Sequence, residues 1–568
     1  MAKSRSSDKN RWGLIISVMT LGLICLVQPG CNWGSSNSFV PASPTTPTIP
    51  TLPSAITAVS PLPDSESALV STLVSVTFRD EMNGTTLTPS SFALTTGGTP
   101  VTAVVSYDAA TRTVILTPGS DLISATEYRA TISATVEDVT GGNPLTSDYV
   151  WSFIISPATA LVSKDTLAVV GNEASSRSAI DASGRYVVFE SEATNLSDAA
   201  TTLNRNHIYR KDTVSGEVVL VSSDASGLEA NNDSASAGIS DDGRFVVFES
   251  LATNLSSLST GGTRQVYLKD LTDGSVTLVS RDATGLVSAN NVAENPDLSN
   301  AGRYIVFESN ATNLSALDTT GATQIYRKDM SNEAVEMISR NNTQTAGGSG
   351  DSNRPSMSAD ARFIVFDSIA GDSLVPLATP IRSVYLVDMT SPNTTELISV
   401  DSLGIQGNDA SLNASVSDDG NYVAFESQAT NLTAGGTTLA DIYRRDRSVN
   451  QTLLASTPDG ITSGNNASSG ASISANGAYV AFVSAATNLV TETSLGLDDI
   501  FVRNFSAMPT VSLNKINLTQ TGAEATDNSA NASISADGRY VSFDSPFEYD
   551  ISDTNTLNDI YRSWNRTY

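Results

Sequence analysis

Gly243-Arg244-Phe245-Val246-Val247-Phe248-Glu249-Ser250 is written seven times along this chain, and that repetition decides the fold. The other copies begin at Gly184, Gly302, Ala361, Gly420, Gly477 and Gly538, at successive spacings of 59, 59, 59, 59, 57 and 61 residues. A fixed period of this size marks a repeat architecture, in which each unit buries its apolar surface against its neighbours. In Tyr186-Val187-Val188-Phe189 both faces of the strand are apolar, the pattern of a strand covered on both sides.

Each repeat carries four apolar runs. In the second they are Ala237–Ser240, Phe245–Phe248, Val266–Leu268 and Val276–Val279. Asp242-Gly243 joins the first two, a strong hairpin signal that recurs at Asp419-Gly420, Asn476-Gly477 and Asp537-Gly538. Asp360-Ala361 breaks the pattern, and the missing glycine is expected to strain that turn by roughly 1 kcal/mol. Four short antiparallel strands per repeat, stacked face to face, describe a β-propeller blade. The last repeat ends after its third run, Asp559-Ile560-Tyr561, while residues 160–163 (Ala-Leu-Val-Ser) match the fourth runs Leu220-Val221-Ser222 and Leu278-Val279-Ser280. The first strand of the domain is therefore expected to complete the last blade, closing a seven-bladed ring over residues 160–568 with no unpaired edge inside it.

Upstream of the ring the chain has three further parts. Residues 1–31 read as an export signal: Lys3, Arg5, Lys9 and Arg11 precede an apolar run from Leu14 to Val27. The segment ends in Leu26-Val27-Gln28-Pro29-Gly30-Cys31, which resembles a bacterial lipobox. Gly30 and Cys31 fit the pattern, and Gln28 and Pro29 depart from it. The resemblance implies cleavage before Cys31 and lipidation of its thiol; Cys25 would be removed with the signal, leaving no disulfide framework. Residues 32–54 form a linker in which Pro41, Pro44, Pro47, Pro50 and Pro53 recur every third position, the period of polyproline II. Residues 55–157 read as a separate all-β module, with Val74, Val76 and Phe78 alternating, and likewise Val114 and Leu116.

This module resembles the SbsA-type bacterial Ig-like domain. The matching residues are Phe78 with Glu81-Met82-Asn83, Leu87-Thr88-Pro89-Ser90-Ser91-Phe92, Tyr107-Asp108, Thr111–Val114, Glu137–Asn143 and Trp151-Ser152-Phe153. The resemblance implies a β-sandwich spacer without catalytic chemistry. The repeat resembles the TolB-like propeller, a relative of the WD-type repeats. Ile534-Ser535-Ala536-Asp537-Gly538-Arg539-Tyr540-Val541-Ser542-Phe543 and its counterparts carry that match, with the recurrent Ala-Thr-Asn-Leu (193–196, 252–255, 311–314, 429–432, 486–489) and the run 208–212. That kinship implies an envelope protein docking partners on its propeller.

The net charge of −28, from 60 acids against 32 bases, disfavours nucleic acid, and it disfavours anionic lipid except through a covalent anchor. Candidate chemistry is thin. His207 is the only histidine and lies at the start of a third strand. No G-x-S-x-G elbow accompanies it, so it reads as an exposed surface position. Acids recur at the end of the second strand (Glu190, Glu249, Glu308, Asp367, Glu426, Asp544), and arginines recur at its start (Arg185, Arg244, Arg303, Arg362, Arg539). The sixth repeat has Ala478 and Val483 instead, which suggests that the two sets pair as structural glue rather than as a catalytic carboxylate pair. Asn172, Asn231, Asn290, Asn408 and Asn465 precede the first strands, with Ser175, Ser234, Ser352, Ser411, Ser468 and Ser529. They are expected to crowd where the chain turns toward the central channel, as turn caps or as a polar ring. Asp553–Asp559 only faintly resembles a calcium loop, because it lacks the glycine and the final glutamate.

The expected fold is all-β, an Ig-like sandwich followed by a seven-bladed propeller. The expected protein is a monomeric, exported, lipid-anchored envelope scaffold, facing the periplasm or the cell surface. It has no cofactor or metal, and it takes a protein or glycan partner. The alternative is a polysaccharide hydrolase or lyase, which would gather unlike acids and aromatics at one channel mouth.

Overall fold

The computed structural model describes residues 52–568, apart from 64, 69–71, 121, 124–125, 156–158, 199–200, 202–204, 318, 320, 392–393, 492–493, 507–511, 520–521, 551 and 567–568. The export signal, Cys31 and nearly all of the proline-rich segment lie outside the described residues.

The N-terminal module is a β-sandwich. One sheet runs Ile56–Ser60, Val74–Phe78, Thr113–Pro118, Ala103–Asp108, and the other runs Ser65–Ala68, Tyr149–Ile155, Glu127–Ile132, Phe92–Thr96, Thr99–Pro100. Val74, Val76 and Phe78 are buried and alternate with partly exposed Ser75 and Thr77. They meet Val114, Leu116, Phe92, Trp151 and Phe153 in one core.

The remainder is a ring of seven four-stranded sheets. Six are consecutive; blade 2, for example, is Ser234–Ile239, Phe245–Ser250, Gln265–Asp270 and Val276–Leu278. The seventh contains Ala530–Ile534, Tyr540–Ser545 and Asp559–Trp564, and it takes Ala160–Leu161 as its outer strand. Leu161 lies opposite Tyr561, and the Val162 N–H donates to the Ile560 carbonyl at 2.7 Å. First strands of adjacent blades touch all the way round, including that of blade 7 against that of blade 1. The ring is thereby closed within one sheet, as the match of residues 160–163 to the fourth runs predicts.

The second strand of each blade sits between neighbours. Val246 to Ser250 are all buried, and Phe248 stacks on Tyr267 of the adjacent third strand at 5.8 Å. Two demands fall on the hairpin glycines. Gly243 has φ +71°, and an added Cβ would run into the ring of Tyr186 on the preceding blade. Gly302 meets Phe245 in the same way, and Gly477 meets Tyr422. Ala361 adopts φ +59° in blade 4, which places the strain where the missing glycine predicts it. A feature with no advance signal is a bulge in every first strand. Arg177, Ser236, Asn295, Arg354, Asn413, Gly470 and Asn531 all have φ between +49° and +67° there.

Candidate functional site

The recurrent acids at the ends of the second strands are buried except for half-buried Glu426, and three of them, Glu190, Glu249 and Glu308, accept a bulge N–H from the next blade. Glu190 accepts the Ser236 N–H of the next blade at 2.8 Å and the Asn206 amide at 2.7 Å. Glu249 accepts the Asn295 N–H at 2.9 Å and Arg264 at 2.8 Å, and Glu308 accepts the Arg354 N–H at 2.5 Å. Asp544 takes the side-chain amides of Asn531 and Asn558 at 2.8 and 2.9 Å. Asp367 is ion-paired with Arg354 and Arg382. A left-handed bulge turns its N–H out of the ladder, so a buried acceptor from the neighbouring blade is what satisfies it. Burial pushes the pKa of Glu190 and of Glu308 above the ordinary carboxylate range.

The arginines are indeed glue, but not with these acids. Arg185 forms a two-pronged pair with Asp212 at the end of the third strand, at 2.9 and 2.6 Å. Arg244–Asp270, Arg303–Asp329 and Arg362–Asp388 repeat it within their own blades. Arg539 instead lies 3.9 Å from Asp537. Arginine and strand-end acid sit at opposite ends of one extended strand, whereas antiparallel pairing brings Asp212 opposite Tyr186, next to Arg185. In blade 6 the cognate substitution is thus Ala478 with Asn504, not Ala478 with Val483.

His207 corrects a second expectation. It is completely buried, with Nδ1 3.2 Å from Ser222 Oγ and Nε2 3.3 Å from the Glu229 carboxylate, and burial lowers its pKa. The same position is an interlock in other blades. Gln265 accepts from Ser280 at 2.7 Å, Asp441 from Ser456 at 2.8 Å, and Asp559 from Ser163 at 2.6 Å. The loop that follows each fourth strand folds over the start of the third, so a position that reads as a strand start becomes interior.

The asparagines before the first strands do cap turns, across two loops. The Asn172 N–H donates to Asn195 Oδ1 at 2.9 Å, and its Oδ1 accepts the Thr194 N–H at 2.8 Å. Asn231, Asn290, Asn408 and Asn465 do the same with their own Thr-Asn pairs. The recurrent Ala-Thr-Asn-Leu is therefore the other half of this cap. Ser175 and Ser191 bond at 2.9 Å inside the blade rather than facing a channel. In the calcium-like stretch, Asp553 accepts the Tyr561 hydroxyl. Among the described residues no three His, Cys, Asp or Glu side chains group as a metal site.

Sequence reasoning missed a set of buried cations. Lys211 Nζ caps the carbonyls of Lys164 and Asp165 at 2.8 and 3.1 Å. Lys269 caps Ser223 and Asp224, Lys328 caps Asp282, and Arg445 caps Asp401. Each ties a third strand to the turn that precedes its blade, and burial lowers Lys211 to about 8. Their recurrence in the third-strand run was the available signal.

One mouth of the channel is drawn together by the hairpins. Asn300 N–H donates to the Ala359 carbonyl, Asp418 to Ala475, Ala475 to Ala536 and Asp537 to Ala182, at 2.9 to 3.2 Å. Burial, and then the nearby Asp418, hold the Asp241 carboxyl above its usual value. The strand-end acids lie toward the other mouth, as does a cleft of about 580 Å³ between blades 2 and 3. Arg264, Glu294 and Glu308 line that cleft, which contains no aromatic side chain.

Residues 50–154 match the bacterial Ig-like domain family. No curated protein matches the chain. Similar solved structures include a putative TolB from Agrobacterium tumefaciens, 17% identical over 50% of this chain and 80% of that one, with a TM-score of 0.31. TolB from Acinetobacter baumannii is 13% identical over 73% and 79%, with a TM-score of 0.34. The propeller domain of the Trilobed protease from Pyrococcus furiosus is 13% identical over 69% and 95%, with a TM-score of 0.41. The propeller assignment here rests on this chain's own sheet order. Among the described residues no helix is long and apolar enough to cross a membrane.

Proposed function

We propose that this chain is a non-catalytic binding scaffold of the bacterial cell envelope. It is exported and fixed through a lipid on Cys31. Its propeller docks a protein or glycan partner. One observation carries the reading: the recurrent acids, arginines and asparagines that could do chemistry are engaged in bonds within and between blades, as with Glu190 on the Ser236 N–H of the next blade and Arg185 on Asp212 of its own. A catalytic carboxylate needs an unspent lone pair facing substrate. The test is to incubate the purified propeller with panels of glycans and peptides and follow both capture and product formation. Capture without products is expected, and turnover of any substrate refutes the scaffold reading. Lipidation is tested separately, by palmitate incorporation in the full chain and in Cys31→Ser; equal labelling of both refutes the anchor.

A further inference from the structure

We propose that the groove along the outer edge of blade 1 receives an extended, cationic polypeptide segment, which pairs with Val218–Leu220 as a fifth strand. The proposal rests on the scaffold reading and names a place and a partner chemistry for it. Val218–Leu220 is the outermost strand of its sheet. Arg210 lies opposite Val219, and the bonds Asp212 N–H to Glu217 O and Val221 N–H to Ile208 O flank that pair. By antiparallel alternation Val219 therefore bonds inward, and the N–H and C=O groups of Val218 and Leu220 point outward. Of these, the Leu220 carbonyl accepts the Ser223 hydroxyl at 3.2 Å. The rest form an open template for strand addition.

The groove is already shaped. Turns at Asp165–Val169 and Asp224–Leu228 line it on either side, with a volume of about 680 Å³ between them. Asp165 Oδ1 accepts the N–H groups of Leu167 and Val169 at 2.8 and 2.7 Å, and Asp224 Oδ1 accepts those of Ser226 and Leu228 at 2.8 and 3.0 Å. Lys211 and Lys269 hold the same turns from below through their carbonyls. Walls fixed in this way lose little freedom when a segment enters. Leu167 and the partly exposed Leu271 supply apolar contacts, and Leu167 stands 83% exposed at a turn tip.

Charge selects the partner. Asp165, Asp198, Glu217 and Asp224 line the groove, and the one cation among its described lining residues, Lys269, is buried on the carbonyls of Ser223 and Asp224. The field facing solvent is negative, so a strand alternating apolar with basic residues is complementary on both of its faces. The corresponding groove on blade 2, about 610 Å³, has Asp224 and Arg281 instead and lacks this bias.

The test uses fluorescence anisotropy on the full chain with three labelled peptides: alternating lysine and valine, alternating glutamate and valine, and the lysine–valine peptide with a central proline. Saturable binding of the first alone is expected. The exposed double substitution Asp198→Lys with Glu217→Lys should weaken it by about tenfold or more. Absent binding, equal binding of the proline peptide, or an unchanged affinity in the double variant overturns the proposal. None of these outcomes bears on the scaffold reading, which falls only to turnover.

Discussion

Asp559 offers a direct measure of what ring closure costs. It is the first residue of the last blade's third strand, fully buried, and its Oδ1 accepts the Ser163 hydroxyl at 2.6 Å. Ser163 belongs to the segment that closes the ring, and its Oγ also accepts the Ile560 N–H at 2.9 Å. Asp559 Oδ2 is buried and accepts no hydrogen bond. The related Asp499 is better served, with Lys515 at 2.7 Å. Burial raises Asp559 from 3.8 to about 7, with Ser163 opposing and the nearby Asp553 adding. A carboxyl raised in the folded state keeps its proton after the unfolded chain has lost its own. Folding then takes up a proton, so stability falls as pH rises from about 4 to about 7 and levels off above. A shift of about three units corresponds to about 4 kcal/mol. Asp559→Asn keeps the shape and removes the charge. Part of that difference is already present at pH 5, so urea unfolding of native and variant protein at pH 5 and pH 8 should show the gap between them moving by about 2.5–3 kcal/mol in favour of the variant at pH 8. Other raised acids, such as Asp441, titrate equally in both proteins and cancel. Parallel pH dependences, or a variant weakened more at pH 8 than at pH 5, would refute the reasoning.

Three further outcomes follow from the contacts within and between blades. Glu249→Ala strips the Asn295 N–H of its acceptor and should cost about 1–3 kcal/mol in urea unfolding; a neutral result would mean that the bulge is satisfied otherwise. Arg303→Ala removes a surface pair with Asp329, in which the arginine is half exposed, and should cost at most about 1 kcal/mol, a loss that shrinks in high salt; a salt-independent loss would contradict this account. Gly243→Ala forces a methyl against Tyr186 at φ +71° and should cost about 2–5 kcal/mol, whereas Gly216→Ala, with open space around it, should pay only the backbone term of about 1–2 kcal/mol; equal losses would show that the neighbouring ring gives way freely.

Much of this architecture was legible in the primary structure because it rests on local rules repeated at a fixed interval. Apolar runs named the strands, Asp-Gly pairs named the hairpins, and the mismatch of ends, residues 160–163 against the incomplete last repeat, named the closure. The strained Ala361 turn was visible for the same reason: backbone conformation at a hairpin is dictated by adjacent residues. What only the folded ring decided is which side chains meet. Arg185 was free to choose among acids until antiparallel pairing brought Asp212 beside it. His207 read as a surface residue until the loop from the fourth strand covered it. The bulges that Glu190 and Glu249 hold, the lysines under each turn and the groove beside Val218 all join blades or loops that the period separates by tens of residues. A repeat specifies its own strands through neighbours in the chain, but the contacts between blades depend on distances that close only when the ring does.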